Sequence, residues 1–204
     1  MARPSSCARI EPELTFSLVN QKFILVKGEK ECVDMNKEAY LEALARESTT
    51  FASVLKANPQ TPLPIVPSCP DWNTLDLVLH LGIVQRRVAT VVARRLQEPP
   101  WRDKNSKANL DIMALPSRYL PWALQQEATP NTEPIPLELI EWFEQGANQL
   151  KVALAQADPE LHVWRWNPAN QTVAHWWRAQ ASEAAIHRWD LQEAYACTTP
   201  IEPE

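Results

Sequence analysis

The chain has 204 residues, of which 45% are apolar and 22% charged, and its formal net charge is −5. This length suits one domain, or one domain with an arm, and needs no disulfide bonds to bury a core. Average usage would give about fourteen glycines and about ten prolines, whereas the chain has 3 glycines and 18 prolines. The scarcity of glycine excludes the glycine-rich loops that bind nucleotide phosphates. The acidic balance argues against a nucleic-acid binder that works by neutralising phosphates.

The sequence carries no signal for export or for membrane insertion. No apolar run approaches the roughly 18 residues of a membrane span, and the N-terminus lacks the apolar core of a signal peptide. The four cysteines lie far apart and form no CxxC pair: Cys7, Cys32, Cys69 and Cys197. We therefore expect a cytoplasmic protein with reduced thiols and with no nucleic-acid or membrane partner.

The positions of the prolines predict the fold class. Proline disrupts helix interiors, so long helices must lie in proline-free stretches. Four long stretches are free of proline and carry apolar residues at helical spacing: 13–58, 71–98, 137–158 and 169–199. Four amphipathic helices joined by proline-rich connectors predict an all-α four-helix bundle. The connector 99–136 would be a long crossover between the second and third helices, with a short helix near Ser117–Gln126.

The two ends of the chain differ from this pattern. Residues 1–34 form an N-terminal extension, in which the stretch 16–28 is rich in strand-forming residues. A hairpin laid on the bundle, a poorly ordered arm and a misassigned start ahead of Met35 all stay open. We expect the bundle to occupy 35–197 and a short tail to occupy 198–204.

Two arginine pairs, Arg86-Arg87 and Arg94-Arg95, fall in the second half of the second predicted helix. An anion site is one interpretation of these pairs. The favoured interpretation is that cations near a helix C-terminus complement the helix dipole.

The last predicted helix has a stripe that is apolar at its ends and polar in its middle. Glu183 and His187 are four residues apart on this stripe, so their side chains can converge on one point. His80 lies on an apolar stripe of the second helix and can complete a cluster of three. One carboxylate and two imidazoles are the ligand set of catalytic zinc, and they also suit iron, nickel or cobalt. Asp190 and Asp76, one turn from the two histidines, are candidates to accept an imidazole N–H and fix the ring.

Ordinary structural roles for the same residues stay open. Glu–His pairs at this spacing also occur on exposed helix faces, where they stabilise the helix. His80 can be a core histidine with no ligand. A different inward face of the last helix would turn Glu183 and His187 to the flank, and it comprises Trp177, Ala181, Ala184, Leu191 and Tyr195.

Two segments resemble a known family: VPSCPDWNTLDLVLHLG at 66–82 and HVWRWNPANQTVAHWWRAQASEAAIHRWD at 162–190. They are similar to the mycothiol-dependent maleylpyruvate isomerases, and in particular to the N-terminal metal-binding domain of that family. That domain belongs to the DinB-like superfamily of four-helix bundles. The resemblance covers about 36–197 and rests on the VPxCPxW turn, the histidine that follows it, the Trp-x-Trp connector and ExxxHRWD. It implies a DinB-like bundle with His80, Glu183 and His187 as metal ligands.

The sequence also departs from the family pattern. Asp71 stands where the family usually has glycine, and Ala179 and Ser182 replace an arginine and a histidine. The isomerase proper carries a further α/β domain after the bundle, which this sequence does not contain. We therefore do not expect isomerisation of maleylpyruvate itself.

Two hypotheses for function follow. In the first, the chain binds a divalent ion, with zinc ahead of nickel or iron, and acts with a mycothiol-like small thiol as an isomerase or transferase. Arg178 is then a candidate for binding an anionic group of the thiol, and a homodimer could complete the site. In the second, the chain is a non-catalytic helical bundle whose metal is structural or lost and which acts through partner contacts.

Overall fold

The computed structural model describes residues 36–99, 101–103, 106–125, 129, 131–167, 169 and 171–201. The predicted N-terminal extension, with its alternative hairpin, lies outside the described residues. Within the described part of the chain, no helix combines the length and apolar character needed to cross a membrane.

Four long helices and two short strands frame the described structure, and the all-α prediction is confirmed. Helix α1 spans Lys37–Ala57, strands β1 and β2 span Ile65–Val66 and Cys69–Asn73, and helix α2 spans Thr74–Ala93. The crossover holds α3 at Lys107–Met113, a 3-10 turn at Ser117–Tyr119 and α4 at Leu120–Gln125. The bundle is completed by α5 at Leu137–Gln156 and α6 at Val173–Ala194. The crossover therefore contains the predicted short helix near Ser117–Gln126 and a further one, α3, that was not predicted.

Polar side chains cap the first two long helices. The Asn36 side chain accepts a hydrogen bond from the Ala39 amide at 2.9 Å and so caps α1. Asn73 caps α2, and Asp76 accepts in return from the Asn73 amide at 2.9 Å. This reciprocal arrangement is a capping box, which satisfies amides that a helix start leaves without partners. It fixes the start of α2 six residues before His80, and Asp76 is hydrogen-bonded there, at the helix N-terminus.

The connector between α1 and α2 folds into an antiparallel hairpin. Ile65 pairs with Asn73 and Val66 with Cys69, so the hairpin turns at Pro67 and Ser68. The hairpin packs on both α2 and α6. Cys69 is half-buried at the start of β2.

The helices pack in pairs around two buried apolar clusters. Helix α2 packs most extensively on α5, and α1 packs most extensively on α6. Close packing of α2 and α5 depends on Gly82, because a Cβ at this position would overlap the ring of Trp142. A third contact, between α2 and α6, brings together the helices that carry the polar residues singled out above.

The arginine pair in the middle of α2 does not act as the helix-dipole interpretation predicts. Arg86 is buried and crosses to α5, donating to the Trp142 carbonyl at 2.6 Å and to the Gln149 side chain at 3.1 Å. Arg87 reaches toward α3 instead, with its guanidinium over the Trp101 ring and a 3.3 Å hydrogen bond to Asn109. Both side chains therefore make specific tertiary contacts in the middle of the bundle.

Candidate metal site

Three potential ligands meet where α2 faces α6. His80 comes from α2, and Glu183 and His187 come from successive turns of α6. One ligand atom from each of the three lies within 4.8 Å of the others. Their side chains are 13%, 8% and 10% exposed, respectively. The polar middle of the α6 stripe therefore faces into the bundle and is not turned to its flank.

Both imidazoles direct the same ring atom at one carboxylate oxygen. The Nε2 atom of His187 lies 3.2 Å from Oε1 of Glu183, and the Nε2 atom of His80 lies 3.4 Å from that oxygen. The two rings are perpendicular, with their centroids 5.1 Å apart. Two nitrogen donors and one oxygen donor thus converge from two helices.

A chain of hydrogen bonds leads from His187 to the protein surface. The Nδ1 atom of His187 lies 3.1 Å from Oδ2 of Asp190, one turn further along α6. The hydroxyl of Ser68, in the hairpin turn, donates to the other oxygen of Asp190 at 2.7 Å. The His80 ring is flanked separately by Trp72 of β2, at a centroid distance of 5.1 Å.

Burial and mutual charge set the protonation of this cluster. Burial raises the pKa of the Glu183 carboxyl, but the charge of His187 and hydrogen bonds with both histidines outweigh it and hold that pKa well below its usual range. Burial lowers the pKa of His187, whereas Glu183 and Asp190 together raise it to about 10. The pKa of His80 is lowered by burial and by the charges of His187 and Arg87, against its hydrogen bond with Glu183. The two acidic side chains therefore favour the charged form of His187, whereas burial favours the neutral form of His80.

Other residues singled out in the sequence lie elsewhere. Asp76 takes part in the capping box of α2. Arg178 is exposed, and five residues of helix place it about 140° around α6 from Glu183. A further histidine of α6, His175, is exposed, and its ring bonds with the Thr172 hydroxyl at 2.7 Å near the start of the helix.

Two polar residues that bear on the site, Ser68 and Glu47, were not identified from sequence, and Arg87 was identified only as one half of an arginine pair. Ser68 gives no signal, because its partner Asp190 is 122 positions away. Arg87 lies seven residues after His80, hence on the same face of α2, and burial lowers its pKa to about 10. Glu47 of α1 forms a buried ion pair with Arg188, the residue after His187, at 2.7 Å. The spacing of seven residues from His80 could have linked Arg87 to the site, but nothing local identifies Ser68 or Glu47.

Comparison with known proteins supports the resemblance drawn from these residues. A family model described as "Mycothiol maleylpyruvate isomerase N-terminal domain" matches residues 41–192. The match spans about three quarters of the chain and includes the hairpin, α2 and nearly all of α6. Searches of curated proteins and of solved structures returned no significant match.

Proposed function

Because the chain belongs to the family of mycothiol maleylpyruvate isomerase N-terminal domains, we propose that it binds a divalent metal ion through His80, Glu183 and His187. Zinc is the first candidate, with nickel or iron as alternatives. We further propose that the bound ion serves thiol-dependent isomerase or transferase chemistry, with a small thiol of the mycothiol type as cofactor. The observation that carries the proposal is the convergence of three ligand atoms from two buried side chains and one half-buried side chain, all within 4.8 Å of one another.

The residues present fit a metal of this class. Two imidazole nitrogens and one carboxylate oxygen are the ligand set of many catalytic zinc sites, in which a further position takes water or substrate. Burying ionisable groups away from water is costly unless they pair or bind a metal. Pairing within the cluster offsets part of this cost, since both histidines bond to Glu183.

The proposed chemistry divides between the ion and the protein. The chemistry that a bound divalent ion supplies is activation of a coordinated thiol or water, whose pKa it lowers toward neutrality. His187 would bind through Nε2, with its Nδ1 hydrogen directed at Asp190. Trp72 shields one side of the His80 ring.

An anionic group of the thiol or of its co-substrate would bind to a cation near the site, and Arg87 is better placed than Arg178 to supply one. Arg87 lies on the same face of α2 as His80 and close enough to lower the pKa of that histidine. Its Nε is buried without a hydrogen-bond partner. Arg178 is exposed and points away from Glu183 around the helix. We therefore assign the anion-binding role to Arg87 first and keep Arg178 as the alternative.

The rival function is a non-catalytic bundle with a structural metal. Structural zinc sites are normally closed by a fourth protein ligand. Among the described residues, the potential metal-binding group comprises three side chains only. Asp190 bonds to His187 and Ser68, and Asp76 bonds to the Asn73 amide. The open three-ligand set favours the catalytic version.

Metal content tests the first part of the proposal. Protein purified without a polyhistidine tag should contain about one equivalent of zinc, nickel or iron by plasma mass spectrometry. The variant Glu183→Ala/His187→Ala should contain none. The matched control, Glu193→Ala/His175→Ala, removes the same residue types from exposed positions of α6 and should keep the metal. Absence of metal from the wild type after reconstitution, or equal metal in both double variants, would overturn the assignment.

Cobalt substitution tests the second part. Adding a small thiol to the cobalt protein should produce a sulfur-to-cobalt charge-transfer band in the near ultraviolet. Arg87→Gln should raise the concentration of an anionic thiol needed for half the band and leave a neutral thiol unaffected. If the cobalt protein shows no such band with any thiol, the metal site still stands and the proposed thiol chemistry is wrong.

A further inference from the structure

The β1–β2 hairpin contacts one histidine of the candidate metal site directly and reaches the other through Asp190, although it supplies none of the candidate ligands. Trp72 packs against the His80 ring. Ser68 donates to Oδ1 of Asp190, whose Oδ2 faces Nδ1 of His187. One short segment of nine residues, 65–73, therefore lies beside the candidate ligands of both α2 and α6.

We propose that Ser68 is a positioning residue for His187, acting through Asp190; the use of that position for a metal rests on the function proposed above. Asp190 has two carboxylate oxygens, and a partner on each fixes the plane of the group. Ser68 holds Oδ1, so Oδ2 stays directed at the Nδ1 hydrogen of His187. With its hydrogen on Nδ1, the ring presents Nε2 to Glu183 and to any bound ion.

The hydrogen bond between Ser68 and Asp190 matters more to the aspartate than to the serine. Ser68 is an exposed residue, so water can satisfy its hydroxyl without any protein partner. The Asp190 side chain is 12% exposed and needs donors from the protein. The 2.7 Å separation is that of a strong hydrogen bond to a charged acceptor. The acceptor lies on α6, 122 positions away in sequence, so this hydrogen bond is not part of the hairpin turn itself.

Variants of an exposed serine allow a test without loss of the fold. Ser68→Ala should weaken zinc binding about 2- to 10-fold in competition with a chromophoric chelator, as expected for loss of one hydrogen bond. Ser68→Thr keeps the hydroxyl and should restore affinity. Ser53→Ala is the matched control, because Ser53 is also exposed and its hydroxyl bonds only to the Thr49 carbonyl within α1.

A measurement on the metal-free protein separates this inference from the proposed function. The ring nitrogens of His187 can be observed in a long-range ¹H–¹⁵N correlation spectrum and assigned with His187→Ala. Ser68→Ala should shift the Nδ1 resonance, and Ser68→Thr should return it toward the wild-type position. An unchanged Nδ1 resonance in Ser68→Ala would overturn the positioning role. A wild-type protein that binds no zinc would overturn the metal assignment, and the Nδ1 resonance would still decide whether Ser68 orients His187.

Discussion

At the scale of single residues, a nearly fully buried ion pair joins α1 to α6. Arg188 donates from Nε to Glu47 of α1 at 2.7 Å, and the two side chains are 2% and 5% exposed. The same guanidinium donates to Gln192 at 2.6 Å and to the Thr199 carbonyl at 2.7 Å. Arg188 thus ties α1 and the segment after α6 to the residue next to His187.

We predict that Glu47→Ala lowers the free energy of unfolding by about 3–5 kcal/mol, because it leaves the Arg188 charge buried without its carboxylate. Urea unfolding followed by circular dichroism measures the loss. The control is Glu144→Ala, which breaks the Lys56–Glu144 pair at 2.6 Å, with side chains 44% and 40% exposed. That exposed pair should contribute less than about 1 kcal/mol. Similar losses in the two variants would contradict the account of the buried pair.

At the scale of elements, the packing of α2 on α5 depends on a glycine in the same turn of helix as His80. An added Cβ at Gly82 would overlap the Trp142 ring, and that ring is fixed by a 2.9 Å bond from its Nε1 to the Met113 carbonyl. Gly146 of α5 offers a comparison, because a Cβ there would meet the Arg86 side chain at 3.1 Å. Arg86 needs to shift by only a few tenths of an ångström, whereas the Trp142 ring would have to move farther and lose its bond.

Gly82→Ala should therefore destabilise the protein by about 1–3 kcal/mol, the usual cost of overpacking a core. Alanine gains up to about 1 kcal/mol over glycine in a helix interior, so Gly146→Ala should cost clearly less. Thermal unfolding of the two variants side by side measures the difference. The proposed packing role of Gly82 fails if its alanine variant is as stable as the wild type.

The elements also show which parts of the fold local sequence can predict. The four long helices follow from where prolines are absent, since proline acts on its own helix. The hairpin at 65–73 escaped prediction because its strands are two and five residues long and prolines flank or interrupt them. Helix α3 has only seven residues, too few for a periodic pattern to identify. The strand pairing that defines the hairpin joins residues across space, and no local pattern reveals it.

At the scale of the whole molecule, the candidate site also divides into residues that local sequence can predict and residues that it cannot. Glu183 and His187 could be predicted as a pair from their spacing on one helix, and His80 from its place on an apolar stripe. The resemblance to the family then joined the three. Ser68 and Glu47 could not be found in this way, because each is defined by a partner more than 120 positions away. Arg86 was misinterpreted for the same reason, since its contacts with α5 depend on how the bundle closes.

A metal held by two helices should stabilise the whole bundle. His80 belongs to α2 and the Glu183–His187 pair to α6, so a bound ion would link segments about one hundred residues apart. A ligand that binds only the folded state at a hundred times its Kd adds about 2.7 kcal/mol. For a domain of this size we expect zinc to raise the Tm of chelator-treated protein by roughly 5–10 °C.

Differential scanning calorimetry of metal-free protein, with and without added zinc, measures this shift. Glu183→Ala/His187→Ala should show no rise in Tm, because only one of the three ligands remains. Glu193→Ala/His175→Ala keeps all three ligands and should respond as the wild type does. An equal rise in both double variants would place zinc elsewhere on the chain. A rise confined to proteins with the intact cluster would show that metal binding and bundle stability are coupled through the α2–α6 contact.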